Sequence, residues 1–148
     1  MPVASVSIAA ILIGGALISV QGPLNAMLGR AVGSPVNAAL ISFLVGTIAL
    51  AIIATTQRIA PNGELVRSLP WWAWIGGLCG AVFLTAAAYA APRIGVGSML
   101  TLAVASQLLM AIALDHFGVL GVPQRAISGG RVAGIVLVMV GALLVRRF

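Results

Sequence analysis

The chain reads as an all-α integral membrane protein of five transmembrane helices. Three observations predict this. Of its 148 residues 61% are hydrophobic and only 7% are charged, where a soluble domain carries about 25%. Mean hydropathy is +1.19. Five apolar runs follow one another, each close to the ~20 residues that a helix needs to cross a bilayer.

The first run covers about residues 5–29 and is interrupted by Ser19-Val20-Gln21-Gly22-Pro23-Leu24-Asn25. Pro23 cannot donate a backbone hydrogen bond and crowds the carbonyl one turn back, so the helix is expected to kink or open near Ser19. Gln21 and Asn25 stand at i and i+4 and share a face. Hydrocarbon offers these groups no partner. That face is expected to line a cavity and form the wall of a binding site.

A link through Gly33, Ser34 and Pro35 follows. Ser34 suits an N-cap and Pro35 a first turn. The second run covers about residues 36–57 and carries Asn37 and Ser42. Ser42 and Gly46 have the small-xxx-small spacing that lets membrane helices approach closely. Residues 59–69 hold Pro61, Asn62, Gly63, Glu64 and Arg67, and this polar link lies outside the membrane.

The third run, about residues 71–91, opens on Trp71, Trp72 and Trp74, an aromatic belt at headgroup level, with Tyr89 near its other end. Gly76 and Gly80 are spaced for a tight helix contact, and Pro92 and Arg93 are expected to close the helix. The fourth run, about residues 95–116, carries Ser98, Thr101, Ser106 and Gln107. It ends at Asp115-His116-Phe117-Gly118, where Gly118 fits a left-handed C-cap. The fifth, about residues 128–146, repeats the glycine spacing at Gly130 and Gly134. All five helices are expected to form one domain over residues 1–148. No basic residue precedes the first run, so it is expected to be kept rather than cleaved.

Composition also excludes. The net charge of +6 comes from eight scattered arginines at the ends of apolar runs. They are interface anchors, with no basic stripe for nucleic acid. One cysteine and one histidine build neither a disulfide framework nor a metal centre. No paired carboxylates or activated nucleophile fall inside a run, so no enzyme and no cofactor are expected.

Five crossings sort the arginines evenly. One side receives Arg58, Arg67, Arg125 and Arg131; the other receives Arg30, Arg93, Arg146 and Arg147. The positive-inside rule needs an excess to set orientation, and none exists. One explanation is a misassigned helix or unequal weight among the arginines. The other is dual topology, with two opposed copies forming an antiparallel homodimer of ten helices. Such a dimer would have the inverted-repeat design of many transporters, with a site near the midplane.

The order Gln21-x-x-x-Asn25-Ala26, Ser42-Phe43-x-x-Gly46, Trp71-Trp72-x-Trp74-x-Gly76-Gly77, Pro92-Arg93-x-Gly95, Gln107, Asp115-His116-Phe117-Gly118 and Arg131-x-x-Gly134 resembles the YdcZ-like family over nearly the whole chain. These are five-helix bacterial membrane proteins of the drug/metabolite transporter superfamily, related to the small multidrug resistance proteins. The resemblance implies an inner-membrane transporter assembled as an antiparallel pair among membrane lipids. The substrate is not implied. Small multidrug resistance proteins carry a glutamate in their first helix that exchanges protons for cationic drugs. No carboxylate stands in the first run here, so that mechanism does not carry over.

Gln21 and Asn25 are the leading substrate-binding candidates, because a carboxamide offers both donors and an acceptor to a neutral or zwitterionic solute. Gln107 and Ser42 are expected around them. Interhelical hydrogen bonding is the alternative role for all four. Asp115 is the one carboxylate near hydrocarbon, hence a candidate for proton coupling. The favoured alternative is an ion pair with Arg131, or with Arg125. His116 reads as an anchor, and Gly76, Gly80, Gly130 and Gly134 as packing residues. The expected function is transport of a small solute by alternating access. A carrier of lipid or amphiphile with a laterally open cleft, and a non-transporting partner subunit, are the rivals.

Overall fold

A computed structural model describes the backbone of residues 2–148 and the side chains of residues 5–148. Among the described residues six α-helices follow in order: α1 Pro2–Ala31, α2 Pro35–Thr56, α3 Gly63–Ser68, α4 Ile75–Ile94, α5 Val96–Phe117 and α6 Gly129–Arg147. A 3-10 turn, Trp71–Trp74, leads into α4. Among the described residues five spans are long and apolar enough to cross a membrane: Ser5–Ala31, Pro35–Thr56, Trp71–Ile94, Val96–Phe117 and Gly129–Arg147. The chain divides into two compact units, Met1–Pro92 and Arg93–Phe148.

In the first unit α1 and α2 form an antiparallel hairpin. Ser34 caps α2, its Oγ accepting from the Val36 amide at 3.2 Å, with Pro35 in the first turn. Gly33 turns the chain at φ 76°, a backbone conformation that suits glycine. Gly29 lets the helices close up. A methyl group on it would stand 3.6 Å from the Pro35 Cα and 3.7 Å from the Ala38 Cβ, and Ala38 is fully buried.

Two prolines behave differently from expectation. The helix α1 runs unbroken through Pro23, so of the kink or opening expected near Ser19 the opening does not occur. The helix α4 continues past Pro92 to Ile94 and stops at Gly95 (φ 81°). A proline deletes one hydrogen bond, and membrane helices tolerate that because neighbouring side chains re-satisfy the backbone. The carbonyl that Pro23 leaves without its helical donor is that of Ser19, whereas Asn25 Nδ2 donates to the Gln21 carbonyl at 3.0 Å. The polar link also holds more order than expected: Asn62 accepts from the amides of Glu64 and Leu65, starting α3.

The second unit is the α5–α6 hairpin. Gly118 ends α5 in the left-handed conformation (φ 59°), its amide bonding the Leu114 carbonyl. The following link folds back over that end. The Arg125 amide donates to the Asp115 carbonyl at 2.7 Å, and Gln124 Nε2 donates to the His116 carbonyl at 3.0 Å. Carbonyls orphaned at a helix terminus are thus satisfied by the chain itself. Ser128 caps α6 through the Arg131 amide. Gly97 and Val145 bring the other ends of the two helices together.

Candidate functional site

The first unit carries a largely apolar pocket with a few polar groups, built by the register of α1 on α2. Three facing pairs, each one turn farther from the connecting link, behave differently. Gly29 and Ala38 are in contact. Asn25 and Ser42 are hydrogen-bonded, Ser42 Oγ donating to Asn25 Oδ1. Gln21 and Gly46 face a pocket of about 240 Å³, which Ser42, Phe43, Thr47, Leu50 and Leu84 also line. A methyl group built on Gly46 would meet nothing within 4 Å. The missing side chain opposite Gln21 is what leaves the space.

Gln21 lies ten residues before the end of α1, about 15 Å along the helix at 1.5 Å per residue. Gln21 thus stands near the centre of the apolar span Ser5–Ala31, where a crossing helix passes the middle of the hydrocarbon core.

The polar groups divide sharply. Asn25 is 2% exposed and is bonded through both ends of its carboxamide. It stands behind the wall of the pocket and holds α1 to α2. The Ser42 hydroxyl proton is engaged by Asn25, and the Thr47 hydroxyl donates to the Phe43 carbonyl at 2.8 Å. Gln21 is exposed, and its side chain bonds no described residue. Of the expected binding residues, Gln21 and Ser42 line the pocket, while Asn25 supports it. Gln107 belongs to the second unit, on α5, where it is exposed.

Sequence reasoning missed Phe43, Thr47, Leu50 and Leu84. Phe43 is the informative omission. Gly80 of α4 approaches its ring so closely that a methyl there would sit 3.2 Å from Phe43 Cζ. The Phe43-x-x-Gly46 spacing alone gave no sign of which helix would cover it. Gly80 therefore packs as expected. Methyl groups on Gly76, Gly130 or Gly134 would meet nothing within 4 Å of the same chain.

At the end of the second unit, Asp115 Oδ2 stands 3.2 Å from Arg131 Nη1, with the two side chains 34% and 30% exposed. This is the ion pair favoured from sequence. Arg131 Nη1 has no hydrogen-bond partner among the described residues. No group of three or more metal-ligating side chains occurs among the described residues.

Five apolar helices of membrane length, with a carboxamide facing a pocket at mid-depth, define a multi-pass integral membrane protein. The family model described as "Putative inner membrane exporter, YdcZ" matches residues 6–144. The inner membrane protein YdcZ of Escherichia coli (strain K12) is 35% identical over 144 residues, which are 97% of this chain and 96% of that protein. The chain belongs to the YdcZ family and is a multi-pass protein of the inner membrane. No solved structure matches it.

Proposed function

We propose that the chain transports a small solute across the inner membrane, and that it works by alternating access as an antiparallel pair of five-helix copies. The observation that carries this reading is the pocket at mid-membrane depth with Gln21 facing it. A polar group at that depth is costly unless a partner or a solute meets it. Membership of an inner-membrane exporter family supports the same reading. The even division of arginines supports the opposed pair, because neither orientation is favoured on insertion. Two inverted copies would place their pockets on either side of a pseudo-two-fold axis, the arrangement that alternating access uses.

A second reading draws on a larger cleft of about 610 Å³ in the first unit. Pro35 and Val36 of α2 and Ala81, Val82, Thr85, Ala86 and Tyr89 of α4 line it. Its walls offer almost no hydrogen bonding, so in a bilayer it suits an acyl chain. That favours a carrier of lipid or amphiphile.

The test is uptake into proteoliposomes holding the purified protein, screened against a library of small metabolites and, separately, against labelled phospholipid. Saturable solute uptake that falls with Gln21→Ala supports the transporter. Lipid movement with no solute uptake supports the carrier instead.

A further inference from the structure

We infer that the solute taken by the Gln21 pocket is uncharged, with one hydrogen-bonding head group on a compact apolar or aromatic body. This rests on the transport reading above and narrows it. Four observations carry it.

The first is the state of the hydrogen-bond donors. Three polar side chains line the pocket. Ser42 and Thr47 each own a single hydroxyl proton, and both protons are engaged within the protein. Gln21 alone faces the space with donors and acceptor unengaged. A carboxamide pairs best with one group that both donates and accepts, such as an amide. A solute with several polar groups would leave the others unmatched at mid-membrane depth, which is unfavourable.

The second is charge. No Asp, Glu or Arg lines the pocket. The only carboxylate in the five spans is Asp115, which pairs with Arg131 in the other unit. A cation or anion would enter without a counter-ion, at a cost that membrane interiors avoid.

The third is shape. Phe43 is 40% exposed and offers a ring to the pocket, with Leu50 and Leu84 completing an apolar lining. The fourth is size. An apolar cavity of about 150 Å³ holds benzene, so about 240 Å³ accommodates one ring with a small substituent. Drug-sized ligands use about 300 Å³ or more.

Benzamide is the matching probe. Benzamidinium keeps its shape and adds a charge, and glycinamide keeps the amide without the ring. Binding is measured by ligand-induced thermal shift on the purified full-length protein, and movement by flux from proteoliposomes. Benzamide should bind the wild type, while benzamidinium and glycinamide should bind at least about tenfold more weakly. Gln21→Leu should weaken benzamide about tenfold, the loss of one hydrogen bond. Gly46→Val should occlude the pocket and abolish binding. Gln21 bonds nothing described, and a methyl on Gly46 meets nothing within 4 Å, so both variants should fold. Their circular dichroism and wild-type dimer fraction check this.

No binding of benzamide overturns the inference. Equal binding of benzamidinium overturns it too, as does unchanged benzamide binding by both variants. Benzamide that binds as expected but is not moved leaves the ligand class standing and counts against transport. Saturable flux of a charged solute that Gly46→Val blocks keeps transport and overturns the ligand class.

Discussion

Ser42 of α2 donates its hydroxyl to the Oδ1 of Asn25 on α1, and the same Asn25 returns its amide to the Gln21 carbonyl. One buried carboxamide thus ties two membrane helices together just below the pocket. The roles of the two carboxamides at i and i+4 therefore separate. Asn25 ties α1 to α2, and Gln21 lines the pocket.

That separation predicts unequal mutational effects. Ser42→Ala should cost about 0.6 kcal/mol, the average for an interhelical hydrogen bond in a membrane. Asn25→Ala should cost about 1–3 kcal/mol, because it removes a buried side chain that bonds both the Ser42 hydroxyl and the Gln21 carbonyl. Gln21→Ala should leave stability within about 0.5 kcal/mol, as an exposed side chain without partners does. Denaturant unfolding in detergent micelles compares the three.

Gly80 and Gly76 form one sequence motif but predict opposite outcomes. A methyl on Gly80 forces the Phe43 ring, which lines the pocket, to shift by a few tenths of an ångström. Gly80→Ala should weaken solute binding several-fold with little change in melting temperature. Gly76→Ala meets open space and should leave binding unchanged. Helix propensity favours Ala there by up to about 1 kcal/mol. Parallel thermal-shift titrations decide the matter.

In the second unit the covalent chain matters more than the charge pair. Asp115→Asn should cost less than about 1 kcal/mol, since Asp115 and Arg131 are each about a third exposed and solvent screens such pairs. The folded-back link keeps its bonds to the Asp115 and His116 carbonyls. Gly118→Ala should cost more, about 1–2 kcal/mol from its left-handed backbone alone. A Cβ there would also stand 2.9 Å from the Gln124 Cβ. Hydrogen exchange of the Arg125 amide reports the loss directly.

Orientation can be tipped by two substitutions. Replacing Arg146 and Arg147 with Ala leaves the arginine count at four against two. Most copies should then place Arg58 and Arg67 in the cytoplasm. Labelling of a terminal cysteine from each side, in a Cys79→Ala background, measures the split. The wild type should label from both sides. If opposed copies are the working unit, the double variant should lose uptake, and restoring copies of the reverse orientation should recover it.

Much of this architecture was legible along the chain. Hydropathy gave five spans, and Ser34, Pro35, Gly118 and Ser128 marked helix limits where the structure has them. These signals are local, set by backbone geometry and by the demand that a membrane helix satisfy its own carbonyls. The four-against-four division of arginines is likewise a property of sequence alone. Pro23 and Pro92 misled because proline propensity reflects water, whereas apolar surroundings keep a helix together around one missing bond. Three-dimensional packing settled what spacing left open. It put Asn25 behind the pocket and Gln21 in it, brought Phe43 onto Gly80, and chose Arg131 over Arg125 for Asp115. The first of these depends on how far α1 and α2 separate as they leave their turn. That separation is fixed by which small residues face each other, a relation between distant positions that no single stretch of sequence contains.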